Sequence, residues 1–194
     1  MQLNKFYSEN FYFFTSYINE QISKNVLKFR NIAIIYNETH INNINEFLTI
    51  RKFCKKNNIK LYILDNPKIA YQYNLDGIVL SHNNKRIVHL NKTVHKKKFK
   101  IIGKVHNQKE YYFKKNQGCK TIILSPVFKN KKYTNNQLLG LTRFNLISSS
   151  WREKLFALGG INYLNFKRIK TTKAKGYAFN NFIYNPEIKK PVLY

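Results

Sequence analysis

Eight short apolar segments recur along the chain, and they constrain its fold more than any other feature. They cover residues 11–14, 32–36, 60–64, 77–80, 99–102, 121–124, 154–158 and 176–179. Each is a largely continuous apolar run rather than a strict alternation, which favours strands covered on both faces, as in parallel sheets.

Longer stretches with helical spacing separate several of these runs. Residues 107–117 and 161–169 read as helices, and Gly118 stands where glycine commonly follows a helix end. A further helix, ending at Asn57-Asn58, would bury the face formed by Ile41, Ile44, Phe47, Leu48 and Cys54. A strand–helix unit repeated eight times predicts an α/β fold, a minimal (β/α)8 TIM barrel with short helices. A doubly wound open sheet is the structural alternative.

The length of 194 residues suits one domain, which we expect to span residues 1–194. No window approaches 18 uninterrupted apolar residues, and the first ten residues lack the apolar centre of a signal peptide. The two cysteines, Cys54 and Cys119, fit no disulfide framework or metal-binding spacing. We therefore expect reduced thiols in a cytoplasmic protein that has no membrane partner.

The formal net charge of +26 raises the alternative of a basic nucleic-acid-binding module. The excess comes from 29 lysines and only 6 arginines, whereas base-edge readout favours arginine. The lysines are also scattered along the chain, and 27 asparagines accompany them. This pattern favours a solvated basic surface, so we do not expect a nucleic-acid partner.

In a barrel, chemistry is carried by the loops that follow the carboxyl ends of the strands. Gly159-Gly160 follows the seventh run, where glycines allow backbone N–H groups to approach an anion; an ordinary tight turn is the other interpretation. The long segment from Ser125 to Gly140 follows the sixth run and carries Lys129, Lys131 and Lys132. Both loops are candidates for holding a phosphate.

An ordered set of motifs resembles the thiamine phosphate synthase/TenI family of barrels. It comprises Phe14-Thr15, Leu64-Asp65, Ile69-Ala70, residues 76–80, His106-Asn107, Gly118, residues 124–128, Leu139-Gly140, Arg143-Phe144, residues 157–161 and residues 176–178. The only two aspartates in the chain, Asp65 and Asp76, both fall where that family uses aspartate.

This resemblance implies a thiamine biosynthesis protein that joins hydroxymethylpyrimidine pyrophosphate to thiazole phosphate and releases pyrophosphate. It implies that Asp65 binds Mg²⁺, which would neutralise the departing pyrophosphate. It also implies that His106 donates a hydrogen bond to that group. The substrate-binding residues that it implies are Thr15, Ser125, Asn130, Lys132, Gly159, Gly160, Gly176 and Asn181. The expected ligand is therefore a small phosphorylated substrate.

The sequence also departs from the family at the pyrophosphate end. The cationic clamp expected after the second strand reads Ile34-Ile35-Tyr36-Asn37-Glu38, and the second carboxylate expected shortly after the fourth strand reads Asn84 or its neighbour. The serine expected before His106 is replaced by Lys104-Val105. The alternative is a TenI-like or degenerate member that binds a thiazole or thiamine phosphate without synthase turnover. The catalytic histidine of the TenI branch is also absent, because its position reads Ser125-Pro126.

Two single residues have simpler interpretations beside the family ones. Asp76 precedes Gly77 at the start of a run, which is typical of a turn or cap residue. His106 could cap the helix that follows it rather than bind a ligand.

Overall fold

The computed structural model describes residues 10–86, 99–129 and 137–180. Eight parallel strands pair in chain order and close into a barrel in which β8 pairs with β1. The strands are β1 (Phe11–Thr15), β2 (Ile32–Tyr36), β3 (Lys60–Leu64), β4 (Gly77–Leu80), β5 (Lys100–Val105), β6 (Thr121–Leu124), β7 (Lys154–Leu158) and β8 (Gly176–Phe179). The predicted barrel is confirmed, and the open sheet is wrong.

Short helices cover the outside of the barrel. They are α1 (Glu20–Val26), α2 (Ile44–Lys56), α3 (Pro67–Gln72), α4 (Gln108–Asn116) and α5 (Gly140–Ser148), with a 3-10 helix (Phe166–Thr171) between β7 and β8. Within the described part of the chain, none of these helices has the length and apolar character needed to cross a membrane.

The helix predicted over residues 161–169 is wrong. The chain after β7 makes turns and then the 3-10 helix. Asn162 and Asn165 explain the difference, because their side chains bond nearby backbone: the Asn165 Oδ1 accepts from the Asn162 N–H at 2.9 Å and the Asn162 Oδ1 from the Leu164 N–H at 2.9 Å. Such local bonds compete with an α-helical ladder.

Helix α2 is confirmed, but its buried face differs from the predicted one. The helix begins after Asn43, whose Oδ1 accepts from two backbone N–H groups. Phe47 and Cys54 are buried as predicted, and Ile50 joins them, whereas Ile44 and Leu48 are 43% and 41% exposed. The helical stripe is therefore narrower than the sequence pattern indicated.

Large aromatic side chains fill the interior of the barrel. Tyr12 is fully buried and makes edge-to-face contacts with Phe156 and Tyr62, at ring-centroid distances of 4.6 and 5.9 Å. The aliphatic residues Val79, Ile102 and others complete this inner packing. Because the interior is solid, a ligand can enter only at the ends of the barrel.

Asp76 ties the starts of three strands together at the amino-terminal end of the barrel. Its Oδ2 accepts a hydrogen bond from the Leu61 N–H at 2.9 Å, and its N–H donates to the Leu61 carbonyl at 3.0 Å. Its own carbonyl accepts from the Lys100 N–H at 3.0 Å. The structure thus gives Asp76 the turn and capping role.

Replacing Asp76 with alanine should lower the free energy of unfolding by about 1–3 kcal/mol, since the buried Leu61 N–H loses its acceptor. Chemical denaturation of the purified variant measures this change. Glu20→Ala is the control, because Glu20 is a solvent-exposed acid whose side chain is 81% accessible. Equal losses in the two variants would contradict the assigned role of Asp76.

Candidate functional site

Polar groups without partners gather at the carboxyl-terminal rim of the barrel. Ser125 follows β6 and Asn180 follows β8, each two residues beyond an inward-facing residue of its strand, Ile123 and Ala178. The Ser125 Oγ, the Asn180 Oδ1 and the His82 Nδ1 are buried and form no hydrogen bond to the described residues. Since buried polar atoms are nearly always satisfied, these three indicate a place for a polar ligand or ordered water.

Asp65 stands at the end of β3 in a left-handed conformation, with φ of 52°. Its N–H continues the sheet ladder by donating to the Val79 carbonyl at 2.8 Å. Its Oδ1 accepts from the Ser81 N–H at 2.9 Å and from the Asn84 Nδ2 at 2.6 Å. The Oδ2 receives no hydrogen bond from the described residues, so one carboxylate oxygen is available to a ligand.

Asn84 faces this carboxylate as a hydrogen-bond donor. Its own Oδ1 accepts from the Arg86 N–H at 3.0 Å, which fixes the amide with its nitrogen toward Asp65. Across the described ranges, no group of three or more His, Cys, Asp or Glu side chains could hold a metal ion. The residues therefore fit a Mg²⁺ held by one oxygen of Asp65 and otherwise by substrate and water, as Mg²⁺ commonly is.

His106 is fixed at the end of β5 by the start of α4. Its N–H donates to the Glu110 Oε2 at 2.7 Å, and its Nδ1 lies 3.3 Å from the same oxygen. The helix cap is Asn107, whose Oδ1 accepts from the Glu110 N–H at 2.9 Å. The capping function thus belongs to Asn107 rather than to His106.

The His106 ring also packs edge-to-face against His82, with centroids 4.3 Å apart. Burial lowers the pKa of His106 below its ordinary value, Glu110 opposes this, and the charges of His82 and Lys104 add to the lowering.

The glycine pair after β7 closes on the loop after β6. Gly159 and Gly160 both have left-handed φ values, +101° and +65°. A Cβ on Gly159 would lie 2.8 Å from the Pro126 Cα, and one on Gly160 would collide with the carbonyls of Phe128 and Lys129. Only glycine therefore allows this close approach.

The sequence predicted that a helix begins directly after Gly159-Gly160, but no α-helix begins there. The Phe128 N–H instead donates to the Gly159 carbonyl at 2.9 Å, which joins the two loops. The Gly160 and Ile161 N–H groups make no hydrogen bond within the described part of the chain. Two unpaired N–H donors therefore remain beside Ser125's loop, without help from a helix dipole.

Two predicted substrate-binding residues are placed differently from the others. Thr15 lies at the carboxyl end of β1, but its Oγ1 donates to the Tyr17 carbonyl at 2.6 Å in a local turn, and the residue is 4% exposed. Gly176 begins β8 at the amino-terminal end of the barrel, where a Cβ would collide with the Asn10 carbonyl. A whole strand therefore separates Gly176 from the rim, whereas Thr15 is at the rim with its hydroxyl bonded to the neighbouring backbone.

The other predicted positions divide into two groups. Asp65, His106, Ser125, Gly159 and Gly160 come together at the rim. Asn130, Lys132 and Asn181 lie outside the described residues.

Sequence reasoning missed that Lys104 is an inward-facing cation. It follows Ile102, an interior residue of β5, by two positions, and the alternation along a strand could have shown this. Tyr36, in contrast, points outward and is fully buried against Phe47, with its hydroxyl donating to the Glu38 Oε2 at 3.1 Å. Burial, followed by Glu38, raises the pKa of Tyr36 to about 12. The end of β2 therefore offers no cation, and Lys104 of β5 supplies one.

A closed parallel barrel with polar groups collected at its carboxyl-terminal rim is the architecture of the TIM-barrel proteins. Residues 26–183 match the family model described as thiamine monophosphate synthase. The chain belongs to the thiamine monophosphate synthase family.

Two curated relatives carry the name thiamine-phosphate synthase. One, from Prochlorococcus marinus, is 32% identical over 145 residues, which are 74% of this chain and 41% of the relative. The other, from Pelagibacter ubique, is 28% identical over 157 residues, which are 80% of this chain and 74% of the relative. The match thus spans about two fifths of the Prochlorococcus protein.

A solved structure shows the same fold. The thiamine phosphate pyrophosphorylase from Pyrococcus furiosus superposes with a TM-score of 0.70 at 20% identity, covering 89% of this chain and 85% of that chain.

Replacing Gly160 with alanine should lower the free energy of unfolding by about 1–3 kcal/mol more than replacing Gly118, because the new Cβ must displace the loop after β6. Gly118 is the matched control: its φ is also left-handed, at +80°, but nothing lies within 4 Å of an added Cβ. Denaturation curves of the two variants give the difference. Indistinguishable curves would show that the two loops do not pack as described.

Proposed function

We propose that this chain catalyses the formation of thiamine phosphate from hydroxymethylpyrimidine pyrophosphate and thiazole phosphate, with release of pyrophosphate. The observation that carries the proposal is Asp65, held at the rim by two hydrogen bonds to one oxygen while the other oxygen is left for a ligand. The family membership supports the choice of substrates.

The pyrophosphate end of the site would lie over β3, β4 and β5. Asp65 would hold Mg²⁺, which when bound supplies charge neutralisation for the departing pyrophosphate. Lys104 adds a positive charge at the end of β5, on the same side of the rim. His106 would donate a hydrogen bond from Nε2 to a pyrophosphate oxygen as a protonated ring, whose Nδ1 lies 3.3 Å from the Glu110 Oε2. Lys104 would thus supply part of the positive charge that the cationic clamp, absent from the end of β2, would provide.

The thiazole phosphate end would lie over β6 and β7. The buried Ser125 Oγ has no partner among the described residues, and the Gly160 and Ile161 N–H groups lie on the adjoining loop. A hydroxyl and backbone N–H groups are ordinary ligands of a phosphate. The expected contributions of Asn130, Lys132 and Asn181 remain part of this proposal.

The same proposal includes a single domain over residues 1–194 and a cytoplasmic location. The barrel closes with strands drawn from Phe11 to Phe179, which supports one domain. Cys54 and Cys119 are both buried and unpaired, which suits a reducing compartment.

One observation favours a second candidate, a family member that binds a thiazole or thiamine phosphate without turnover. Asn84 donates to Asp65 at 2.6 Å, so Asp65 faces an amide where the family resemblance leads us to expect a second carboxylate. The two candidates predict the same binding of thiazole phosphate and differ only in the formation of thiamine phosphate.

Asp65→Asn should lower kcat/KM for thiamine phosphate formation by about 100-fold or more, because the neutral amide is a poor Mg²⁺ ligand. The amide keeps one oxygen that can accept from the Ser81 N–H, so the fold should be unchanged. The measurement is a coupled assay with both substrates across a range of Mg²⁺ concentrations. Asp76→Asn is the control, since that acid lies at the opposite end of the barrel.

Full activity of Asp65→Asn would contradict the metal role of Asp65. A wild-type chain that binds thiazole phosphate in calorimetry but forms no thiamine phosphate would support the binding-only candidate instead.

A further inference from the structure

Lys114 on α4 is a fully buried lysine that the proposed reaction does not use. Its side chain lies over β5, where an added Cβ on Gly103 would come within 2.7 Å of the Lys114 Cβ and 2.8 Å of its Cγ. Burial lowers the pKa of Lys114 below its ordinary value. A buried ammonium costs free energy unless its donors are satisfied, so its partners show what it does.

Lys114 has one partner on the loop after β4 and one at the end of its own helix. The Lys114 Nζ donates to the Asn84 carbonyl at 2.6 Å and to the Gln117 Oε1 at 2.9 Å. The Gln117 Nε2 in turn donates to the Asn84 carbonyl at 3.1 Å and to the Arg86 carbonyl at 2.7 Å. Two buried side chains at the carboxyl end of α4, one in its last turn and one just beyond it, therefore hold two carbonyls of this loop.

The same loop carries groups of the rim. The Asn84 side chain and the Ser81 N–H both donate to the Asp65 Oδ1, at 2.6 and 2.9 Å. The His82 ring packs on His106 at 4.3 Å. Hydrogen bonds thus run without a gap from Lys114 through Asn84 to Asp65.

We propose that Lys114 and Gln117 are positioning residues that fix the loop at residues 81–86 and, through Asn84, the orientation of the Asp65 carboxylate. The kinetic consequence rests on the proposed function, whereas the restraint on the loop does not.

The residues at the pyrophosphate end of the site explain why the loop at residues 81–86 needs to be held in place. Two carboxylates facing one cation would be drawn together by the cation itself. Here one partner is the neutral amide of Asn84, so the protein must hold the loop in place without that attraction. The donors of Lys114 and Gln117 bond the backbone carbonyls of Asn84 and Arg86 and not the Asp65 carboxylate.

The test uses Lys114→Met, which keeps the length of a buried chain, and Gln117→Met, which changes no charge. Amide hydrogen exchange by NMR should show the Ser81 N–H exchanging about tenfold faster in each variant, with amides of β1 and β2 unchanged, because the loop opens locally. Lys115→Met is the matched control, since Lys115 is the neighbouring residue of α4 and is exposed; it should match the wild type.

Kinetics give the second readout. In both variants the Mg²⁺ concentration for half-maximal activity and the KM for the pyrimidine pyrophosphate should rise about tenfold. The KM for thiazole phosphate should stay unchanged, because that end lies over β6 and β7. If the wild type forms no thiamine phosphate, calorimetry with Mg²⁺ and inorganic pyrophosphate replaces the kinetic measurements. The hydrogen-exchange experiment does not depend on turnover.

Unchanged Ser81 exchange in the folded variants would overturn the proposal. So would exchange that accelerates equally throughout the barrel, or KM values that rise equally for both substrates, since these indicate general destabilisation. Should Lys114→Met fail to fold, Gln117→Met alone decides between the two results.

Discussion

Closure of an eight-stranded barrel from very short strands is the constraint on which the rest of this structure depends. The strands contain only four to six residues. So short a barrel has room for few inward-facing residues per strand, and aromatic rings such as those of Tyr12, Tyr62 and Phe156 fill it. The filled interior leaves only the rim for chemistry, where the candidate groups lie at the last residues of the strands or on the loops that follow them.

The two sides of that rim are built in different ways. Over β6 and β7, the loops pack so tightly that Gly159 and Gly160 tolerate no Cβ, and the Gly160 and Ile161 N–H groups form no hydrogen bond within the described residues. Over β3 to β5, the candidate groups are the side chains of Asp65, Asn84, His82, His106 and Lys104, with Glu110 against the His106 ring. The first side depends on backbone shape, whereas the second depends on loops that must be held by residues behind them, such as Lys114.

The strand positions could be predicted from the sequence because continuous apolar runs determine them locally. The predicted run at 99–102 only shifted and lengthened to Lys100–Val105. The helix expected at 161–169 failed because the side chains of Asn162 and Asn165 satisfy local backbone groups, a competition that apolar spacing does not reveal. Gly176 was expected in the same phosphate-binding turn as Asn181, because the two residues are close in sequence. Gly176 instead begins β8, so the length of that strand separates it from the rim.

Other features of the site depend on contacts between distant segments. Asp65 could be singled out as one of two aspartates, but its left-handed conformation and its bond to Asn84 come from the pairing of β3 with β4. Lys114 belongs to a residue type that is almost always exposed, and only the fold shows that Gly103 makes room for it. The sequence therefore identifies the residues of the rim better than it identifies their supports.

The most direct test of the account is a crystal structure of the chain with thiamine phosphate, pyrophosphate and Mg²⁺. The account predicts the metal on the Asp65 Oδ2, pyrophosphate beside Lys104 and His106, and the phosphate of thiamine phosphate beside Ser125 and Gly160. A metal bound away from Asp65, or a phosphate bound away from the Gly159-Gly160 turn, would contradict it.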